Sequence, residues 1–239
     1  MRLDKYLSKA LQISRSDAEV KIKSGKVLVN GEVTRQKQYP VKEELDIIIY
    51  NGNKITYREF VYFMMNKPSG VVSAVRDSDD KTVVDLIQER KDVFPVGRLD
   101  KDVEGLLILT NNGKLAHHLT SPKHEVKKRY YVQTKNPLSE KDIISFHIGL
   151  MIRDGDNHLF QTKPALLEIV DDNSCYVTIT EGKFHQVKRM FVAIENEVVY
   201  LKRVAMGNLK LDVELPLGMY RSLNDEEIFI LKTMSNFKI

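Results

Sequence analysis

The stretch Gly97-Arg98-Leu99-Asp100, followed by the apolar run Glu104-Gly105-Leu106-Leu107-Ile108-Leu109-Thr110, decides how the rest of the chain is interpreted. The run is long and continuous enough for a strand that is buried on both faces. In an extended backbone, Arg98 and Asp100 project to the same side, just before that strand. A charged pair there is costly unless it is paired, solvated or functional. Asp100 is therefore a candidate catalytic carboxylate, with a structural ion pair as the alternative.

The composition is typical of a globular protein with room for one large domain or two smaller ones. Of the 239 residues, 42% are hydrophobic and 29% are charged. The apolar runs are too short to span a bilayer, and residues 1–5 lack the apolar core of a signal peptide, so we expect a cytoplasmic protein without a membrane partner. The single cysteine, Cys175, cannot pair within the chain and is interpreted as a strand residue.

The positive charge is concentrated in the first quarter of the chain. Residues 1–60 contain 12 Lys and Arg against 8 Asp and Glu, whereas residues 61–239 contain 25 of each. The first segment thus carries the whole formal excess of +4. A small basic module on a neutral body favours an anionic partner, with nucleic acid as the leading candidate, although a solvated lysine-rich surface would give the same excess.

The basic segment predicts a compact module of two helices and a hairpin. Leucines recur at helical spacing over residues 3–11, and a capping box at Ser14 introduces a second helix over about residues 16–24. Asn30-Gly31 between apolar runs predicts a tight hairpin, and residues 47–50 supply a closing strand. A domain boundary follows at about residue 58.

This layout resembles the alpha-L RNA-binding module, named for ribosomal protein S-four of the small subunit. The resemblance is carried by residues 2–7, 14–18 and 25–31 and covers about residues 1–48. It implies that the second helix and the hairpin face structured RNA, in contacts that position RNA without reading its sequence. The side chains that it implies near phosphates are Arg2, Lys5, Arg15, Lys21, Lys23 and Lys26.

Residues 59–239 predict a larger α+β domain with a mixed, mainly antiparallel sheet. Strands dominate, and they lack the regular strand–helix alternation of a doubly wound sheet. One strand is expected before the turn at Pro68–Gly70 and another after it. The other expected elements are helices that begin near residues 82, 114 and 139, a helix after the Gly182 turn with Lys188 and Arg189 early on it, and a basic-aromatic strand over residues 127–134.

Several blocks of this domain, taken in order, resemble the RsuA family of ribosomal small-subunit pseudouridine synthases. The blocks are residues 65–74, 94–113, 121–124, 128–130 and 182–191. With the first module, the resemblance spans nearly the whole chain. It implies the isomerisation of a uridine in RNA to pseudouridine, in which no atom is gained or lost, so neither a cofactor nor a metal is required.

The resemblance also implies the catalytic residues. Asp100 matches the family aspartate, which acts as a nucleophile or as electrostatic support for cationic character in the sugar, and then as a proton carrier. An adjacent cation must keep it ionised, and Arg98 or the pair Lys188 and Arg189 can supply that cation, with Lys188 favoured by motif alignment. Tyr130 matches the tyrosine that stacks on the target base, although a core aromatic on a strand is the alternative.

A uridine inside folded RNA is inaccessible, so the resemblance implies that the base is flipped out of the stack. The basic triplet at residues 127–129 would then hold phosphates beside Tyr130; a solvated charge cluster on an edge strand is the alternative. The further expected RNA contacts are Lys67, Lys127, Lys128, Arg129 and Arg189.

Histidines and glycine loops give no further site in the sequence. His185 by itself is more typical of a structural or surface histidine than of a proton shuttle, and no second ligand stands at metal spacing around it. His117 and His118 are adjacent and would face apart on a helix. The chain has no glycine-rich phosphate loop, so no metal and no nucleotide cofactor is expected.

Three functions remain open. The first is pseudouridine formation in 16S ribosomal RNA, favoured by the block at residues 65–73 and by the start of the module at the N-terminus. The second is the same reaction on 23S RNA, and the third is a non-catalytic RNA-binding assembly factor, which an intact Asp100 disfavours. The expected partner is ribosomal RNA, free or in an assembling particle, and the expected state is a monomer.

Overall fold

The computed structural model describes residues 1–43, 45–88 and 92–234; residues 235–239, at the end of the predicted second domain, lie outside this range. The chain divides into two compact units, residues 1–59 and 60–239, one residue away from the boundary expected from the sequence. Within the described residues, no helix combines the length and the apolar character needed to cross a membrane.

The first unit has two helices and a four-stranded antiparallel sheet in the order β2-β1-β3-β4. Ser14 caps the second helix by accepting a hydrogen bond from the Asp17 backbone N–H at 3.1 Å. Asn30 and Gly31 both adopt positive φ angles in the turn of the first hairpin, as a tight two-residue turn requires. The elements are α1 (Leu3–Ala10), α2 (Arg15–Lys23), β1 (Val27–Val29), β2 (Glu32–Val33), β3 (Ile48–Tyr50) and β4 (Asn53–Ile55).

A buried carboxylate anchors the basic residues at the start of this unit. Asp4 is 1% exposed, accepts a hydrogen bond from Arg2 Nη2 at 2.8 Å and lies 3.2 Å from Arg15 Nη2. Burial raises the pKa of Asp4, but hydrogen bonds from Arg2, from the Lys5 backbone N–H and from Arg15 outweigh it, so the pKa lies below its usual value. Asp4 therefore fixes two guanidinium groups at the surface.

The second unit is built on a nine-stranded mixed sheet. Its main path runs β11-β12-β8-β13-β7-β5-β15, with β14 paired to β13 and β6 paired to β7. Among the described strand pairs, β7 with β13 is parallel and the others are antiparallel. The strands of the sheet are β5 (Tyr62–Lys67), β6 (Phe94–Pro95), β7 (Glu104–Thr110), β8 (Lys128–Thr134), β11 (Leu166–Asp171), β12 (Ser174–Ile179), β13 (Val198–Met206), β14 (Leu209–Lys210) and β15 (Tyr220–Ser222).

Helices cover both faces of this sheet. Phe146 of α4 and Phe191 of α5 pack into the core on one face, whereas Leu119 of α3 and Leu231 of α6 pack on the other. A separate hairpin and a 3₁₀ turn complete the unit. The remaining elements are α3 (Gly113–Thr120), the 3₁₀ turn (Pro122–His124), α4 (Glu140–Ile148), β9 (Met151–Arg153), β10 (Leu159–Gln161), α5 (Gln186–Ala193) and α6 (Asp225–Met234).

Two predictions for the second unit, a strand after the Pro68–Gly70 turn and a helix from residue 82, are wrong. After the Pro68–Gly70 turn the chain does not continue as a strand, and Val72 forms only an isolated bridge with Thr82. Residues 82–87 form turns instead of a helix. The Thr82 backbone N–H and hydroxyl both donate to Asp85 Oδ2, at 2.8 and 2.9 Å, and such local side-chain bonds compete with helical pairing.

Candidate active site

Asp100 lies in a pocket of about 250 Å³ in the second unit. Its side chain is 27% exposed and sits on the segment that leads into β7. Side chains from the preceding segment, from β8 and β13 and from the start of α5 line the same pocket. Those that bear on the chemistry are Arg98, Lys128, Tyr130, His185, Lys188 and Arg203.

Lys67 holds the segment that carries Asp100. Its side chain is fully buried, and its ammonium donates to the main-chain oxygens of Pro68, Lys101 and Val103 at 3.0, 3.2 and 2.8 Å. Burial lowers the pKa of Lys67 to about 8, against the opposing effect of nearby carboxylates. An ammonium enclosed in this way cannot reach a phosphate, so the prediction that Lys67 contacts RNA is wrong.

Hydrogen bonds fix the rest of this segment. The Ser73 hydroxyl donates to the Leu99 carbonyl at 2.8 Å and accepts from the Leu99 N–H at 3.0 Å. The Gly70 N–H donates to the Lys101 carbonyl at 2.8 Å. Ser73 and the turn at residues 68–70 therefore hold the segment that carries Asp100 in place.

Two basic side chains face Asp100 from the start of α5. Lys188 Nζ lies 3.6 Å from Asp100 Oδ2, and His185 Nε2 lies 3.6 Å from Asp100 Oδ1. Lys188 makes a closer contact with Asp102, whose two carboxylate oxygens both lie 2.7 Å from its Nζ. Burial raises the pKa of Asp102, but the hydrogen bond and charge of Lys188 outweigh it and the pKa is lowered. Lys188 is thus shared between two carboxylates.

The turn before α5 sets the position of His185. This residue adopts a left-handed backbone conformation with φ of 51°, and its ring stacks on Phe184 with the centroids 3.8 Å apart. Gln186 braces the turn by donating to Glu181 Oε1 at 2.6 Å and accepting the Lys183 N–H at 2.9 Å. Sequence reasoning assigned His185 no role, and no signal in a lone histidine reveals that the fold brings it to Asp100.

The other two predicted cations, Arg98 and Arg189, form no ion pair with Asp100 among the described residues. Arg98 is exposed at the pocket. The Arg189 guanidinium donates to the main-chain oxygen of Arg153 and lies 5.1 Å from the centre of the Phe184 ring. Of the candidate partners, the structure brings Lys188 to Asp100.

Tyr130 and two further cations form the floor of the pocket. Tyr130 is 7% exposed on β8, and Lys128 precedes it by two residues on the same face of that strand. Arg203 on β13 is the cross-strand neighbour of Tyr130. Burial and the charge of Arg203 lower the pKa of Lys128 to about 8, while Glu181 opposes this shift. The Lys128 ammonium donates to the Val126 carbonyl at 2.9 Å.

Arg203 is the most deeply placed of these cations. It is 2% exposed, and its Nε donates to the Leu106 carbonyl at 2.8 Å. Its Nη2 is buried and has no hydrogen-bond partner among the described residues. A buried donor without a partner is unfavourable, so this floor suits a ligand that presents carbonyl or anionic oxygens.

Sequence reasoning missed Arg203, although its position carried a signal. Two residues before Arg203, on the same inward-facing row of β13, Leu201 is apolar and buried and lines the same pocket. An arginine on that inward-facing row is unusual, because an inward charge requires a partner or a function.

The basic triplet at the start of β8 is divided between the two faces of the sheet. Lys128 points into the pocket, whereas Arg129 lies on the opposite face, 2.7 Å from Glu168 and 4.4 Å above the Tyr176 ring. Lys127 is exposed just before the strand. The prediction of Arg129 as a phosphate contact beside Tyr130 is therefore wrong. Lys128 does lie in the pocket with Tyr130, and its contact with a phosphate stays a prediction. The edge-strand alternative is wrong as well, because β8 lies between β12 and β13.

One group of side chains in the described part of the chain is close enough to hold a metal ion. Asp154, Asp156 and His158 lie in the hairpin between β9 and β10, with their ligand atoms within 4.8 Å of one another. Asp154 Oδ1 already accepts the backbone N–H groups of Asp156 and His158. The group is not part of the pocket around Asp100.

In the first unit, four of the six predicted RNA contacts are exposed: Arg2, Arg15, Lys23 and Lys26. The other two are partly engaged. Lys5 lies 2.9 Å from Glu59 Oε1, and Lys21 donates to the Tyr50 hydroxyl at 3.0 Å.

The pocket residues and the small first unit can be compared with known proteins. The profile described as RNA pseudouridylate synthase matches residues 61–193, and the S4 domain profile matches residues 1–47. The chain belongs to the RNA pseudouridylate synthase family. This confirms the predicted family, its α+β fold class and its activity as an RNA isomerase.

Relatives of this pseudouridine synthase align over nearly their whole length. It is 46% identical over 238 residues to YtzG of Bacillus subtilis (strain 168), an uncharacterised RNA pseudouridine synthase, with 97% of this chain and 98% of the relative covered. It is 38% identical over 231 residues to ribosomal small subunit pseudouridine synthase A of Escherichia coli (strain K12), with 95% and 98% covered. A crystal structure of a pseudouridylate synthase, 37% identical, matches with a TM-score of 0.68 over 97% of this chain and 99% of that one.

Proposed function

We propose that this synthase converts a uridine of small-subunit (16S) ribosomal RNA to pseudouridine, with Asp100 as the nucleophile. The observation that carries the proposal is the pocket that unites Asp100, Lys188 and Tyr130 with the buried cations Lys128 and Arg203. The name of the Escherichia coli relative, ribosomal small subunit pseudouridine synthase A, supports the small subunit as the source of the RNA.

The reaction exchanges one bond to the sugar for another. The bond between C1′ and N1 breaks, the uracil turns, and a bond forms between C1′ and C5. The proton lost from C5 is balanced by one gained at N1. The pocket must therefore stabilise positive character at the sugar and negative charge on the departing base, and an ionised Asp100 suits the first task.

The floor of the pocket suits the second task. When N1 departs with the electron pair of the broken bond, negative charge spreads to the two carbonyl oxygens of the uracil. Lys128 and Arg203 would stabilise that charge in a place from which water is largely excluded. Among the described residues, Arg203 Nη2 has no hydrogen-bond partner that it would have to give up first. Tyr130 offers a ring on which the turning base can stack.

A base enclosed in this way must leave its stack, so we propose that the uridine is flipped out of the RNA. Arg98, exposed at the pocket, is assigned to the RNA strand beside the flipped base. Lys127 and Arg189 remain proposed RNA contacts of the second unit. In the first unit, phosphate contacts are assigned to Arg2, Lys5, Arg15, Lys21, Lys23 and Lys26.

The S4 domain match supports ribosomal RNA as the partner of the chain. We expect the enzyme to act in the cytoplasm as a monomer, on free RNA or on an assembling ribosomal particle. Naked 16S RNA and a partly assembled small subunit can each be incubated with the enzyme in vitro. The one in which pseudouridine forms is the substrate.

The test is a chemical map of pseudouridine in ribosomal RNA from cells that carry the native chain, Asp100→Asn or Asp102→Asn as their only copy. Both carboxylates contact Lys188, but Asp102 is 68% exposed, so the pair of variants separates a nucleophile from a neighbouring charge. We expect one small-subunit signal to vanish with Asp100→Asn and to persist with Asp102→Asn. Loss of a large-subunit signal would move the substrate to 23S RNA. An unchanged map would leave an RNA-binding assembly factor as the better account.

A further inference from the structure

A second depression of about 880 Å³ lies on the other face of the catalytic sheet. Side chains alternate along β8, so Arg129 and Tyr131 point away from the pocket that contains Lys128 and Tyr130. We call this depression the back groove. It lies over β8, β12 and β13, and its lining includes Asn66, Arg129, Tyr131, Tyr176, Lys202 and Lys210.

Aromatic rings form a platform in the back groove. Tyr131 and Tyr176 are direct cross-strand partners, with ring centroids 5.6 Å apart, and Tyr200 lies 6.2 Å from Tyr131. The Arg129 guanidinium lies 4.4 Å above the Tyr176 ring. A sheet surface with half-exposed aromatic rings beside cations is the arrangement on which proteins stack unpaired bases.

The charge of the back groove is positive. Lys202 and Lys210 form no ion pair within the described part of the chain. The acidic residue among the groove's described lining, Asp212, is paired with Arg221, whose Nε lies 2.7 Å from Asp212 Oδ2 and which also pairs with Glu227. Two ammonium groups therefore remain available to an anion.

A buried acceptor in the lining of the groove lacks a partner. Asn66 is 5% exposed, and its Nδ2 donates to the Leu215 carbonyl at 2.8 Å, which fixes the orientation of the amide. Its Oδ1 is buried and accepts no hydrogen bond among the described residues. An unpaired buried acceptor costs free energy unless a bound N–H or O–H donor satisfies it.

We propose that the back groove binds a single-stranded segment of RNA. Bases would stack on Tyr131 and Tyr176, phosphates would contact Lys202 and Lys210, and a ribose hydroxyl or a base amino group would donate to Asn66 Oδ1. An acidic peptide would match the charge but not the flat rings, so RNA fits the groove better. The proposal rests on the proposed function, because the bound segment is a second part of the same substrate.

The composition of the chain makes the groove accessible to a specific probe. The chain contains no tryptophan, so Tyr131→Trp creates a single indole fluorophore in the groove. Ile144→Trp, at a position 58% exposed on α4, is the matched control outside it. Titration with an unpaired oligouridine of about eight nucleotides should quench the tryptophan fluorescence of the Tyr131→Trp variant in a saturable manner. The fluorescence of the Ile144→Trp variant should not change.

Charge removal tests the phosphate contacts. In the Tyr131→Trp background, Lys202→Ala together with Lys210→Ala should weaken oligouridine binding about ten-fold or more. The slope of log affinity against log salt should fall by about 1.4, because each single-strand phosphate contact contributes about 0.7. Equal quenching of both tryptophan variants, an unchanged salt slope, or quenching by an acidic peptide as strong as that by RNA would overturn the proposal.

Activity measurements separate this inference from the proposed function. All groove variants are assayed for pseudouridine formation on a short stem-loop that carries the target uridine, alongside Asp100→Asn. We expect the groove variants to retain the native kcat and to lose affinity only for longer RNA. Normal pseudouridine formation without fluorescence quenching would overturn only the proposal that the back groove binds RNA. Persistent pseudouridine formation by Asp100→Asn would overturn the proposed function and would not affect the quenching result.

Discussion

Lys128 keeps a positive charge where burial works against it. Its pKa of about 8 means that the free enzyme loses this charge as the pH rises through about 8. If the charge stabilises the departing uracil, kcat/KM should decline above that pH, because kcat/KM reports the pKa values of the free enzyme. Lys128→Arg should move the decline to higher pH, since a guanidinium stays protonated. Single-turnover rates between pH 6 and about pH 10 measure this, and a decline that persists in Lys128→Met would assign it to another group.

Substitutions of Lys188 and Asp102 are expected to change kcat to different extents, although the two side chains contact each other. Lys188→Met should lower kcat by about 100-fold or more, since it removes a cation 3.6 Å from Asp100. Asp102→Asn should change kcat by less than about ten-fold, because water screens so exposed a carboxylate. Rapid-quench assays on the target stem-loop measure both. Similar losses in the two variants would show that the three groups act as one unit.

The pairing of β7 with β13 depends on a glycine. A Cβ at Gly105 would lie 2.2 Å from the Arg203 carbonyl oxygen, and the backbone there has φ of +100°. Gly105→Ala should therefore separate the two strands, displace Arg203 and lower the free energy of unfolding by more than about 3 kcal/mol. Gly70→Ala is the matched control: Gly70 also has positive φ, but a Cβ there would meet no atom of the described residues within 4 Å, so only about 1–2 kcal/mol of backbone strain is expected. Urea unfolding midpoints measure the stability of both variants. Equal losses of stability would contradict a clash between the Cβ at residue 105 and the Arg203 backbone.

The anchor at Asp4 predicts an acid-sensitive first unit. Since the pKa of Asp4 is lowered in the folded state, its contribution to stability is fully present above the usual aspartate pKa near 4 and is lost as the pH falls through the folded value. Asp4→Asn should lower the free energy of unfolding by about 1–3 kcal/mol at neutral pH. It should also remove the part of the loss of stability below about pH 4 that comes from protonation of Asp4. Circular dichroism melts from pH 3 to about pH 7 check this, and a variant as acid-sensitive as the native chain would contradict it.

Local elements were predictable where their signals lie within a few residues. The cap at Ser14 and the turn at Asn30–Gly31 are such cases. The segment after Thr82 was not, because a helix start and an Asp-Thr turn use the same residue types in the same order. The interior position of β8 also depends on β13, some 70 residues later in the chain, and no local pattern reveals such a pairing.

In the site as well, features carried by a short motif could be predicted from the sequence, whereas features that depend on tertiary packing could not. The motif around Asp100 made it a candidate, with a structural ion pair as the alternative, and only the family resemblance assigned it a catalytic role. The contact of His185 with it and the burial of Lys67 follow from tertiary packing. Strand alternation could have separated Arg129 from Tyr130, but the motif resemblance grouped them as neighbours.

The uneven charge of the molecule predicts how salt affects its two tasks. Arg15→Ala, Lys23→Ala and Lys26→Ala together should raise KM and lower the salt slope of RNA affinity by about 2–3, as three phosphate contacts would each contribute about 0.7–0.9. The kcat on saturating RNA should stay within about two-fold, because these residues belong to the first unit and are not among the described residues that line the Asp100 pocket. Steady-state kinetics from 50 mM to about 300 mM salt measure this. A fall in kcat with unchanged KM would contradict a purely positioning role.

The strand order β11-β12-β8-β13-β7-β5-β15 means that the sheet cannot be cut into two self-sufficient halves. A break in the exposed segment at residues 123–125 would leave Asp100 on one fragment and Tyr130, Lys188 and Arg203 on the other. The later fragment would also carry β15, whose partner β5 belongs to the earlier one. Each fragment alone would lack part of the pocket, so activity would require the two fragments to pair again as they do in the intact sheet. The enzyme is therefore suited to a split reporter, in which a new pseudouridine records that two fused proteins have met inside a cell.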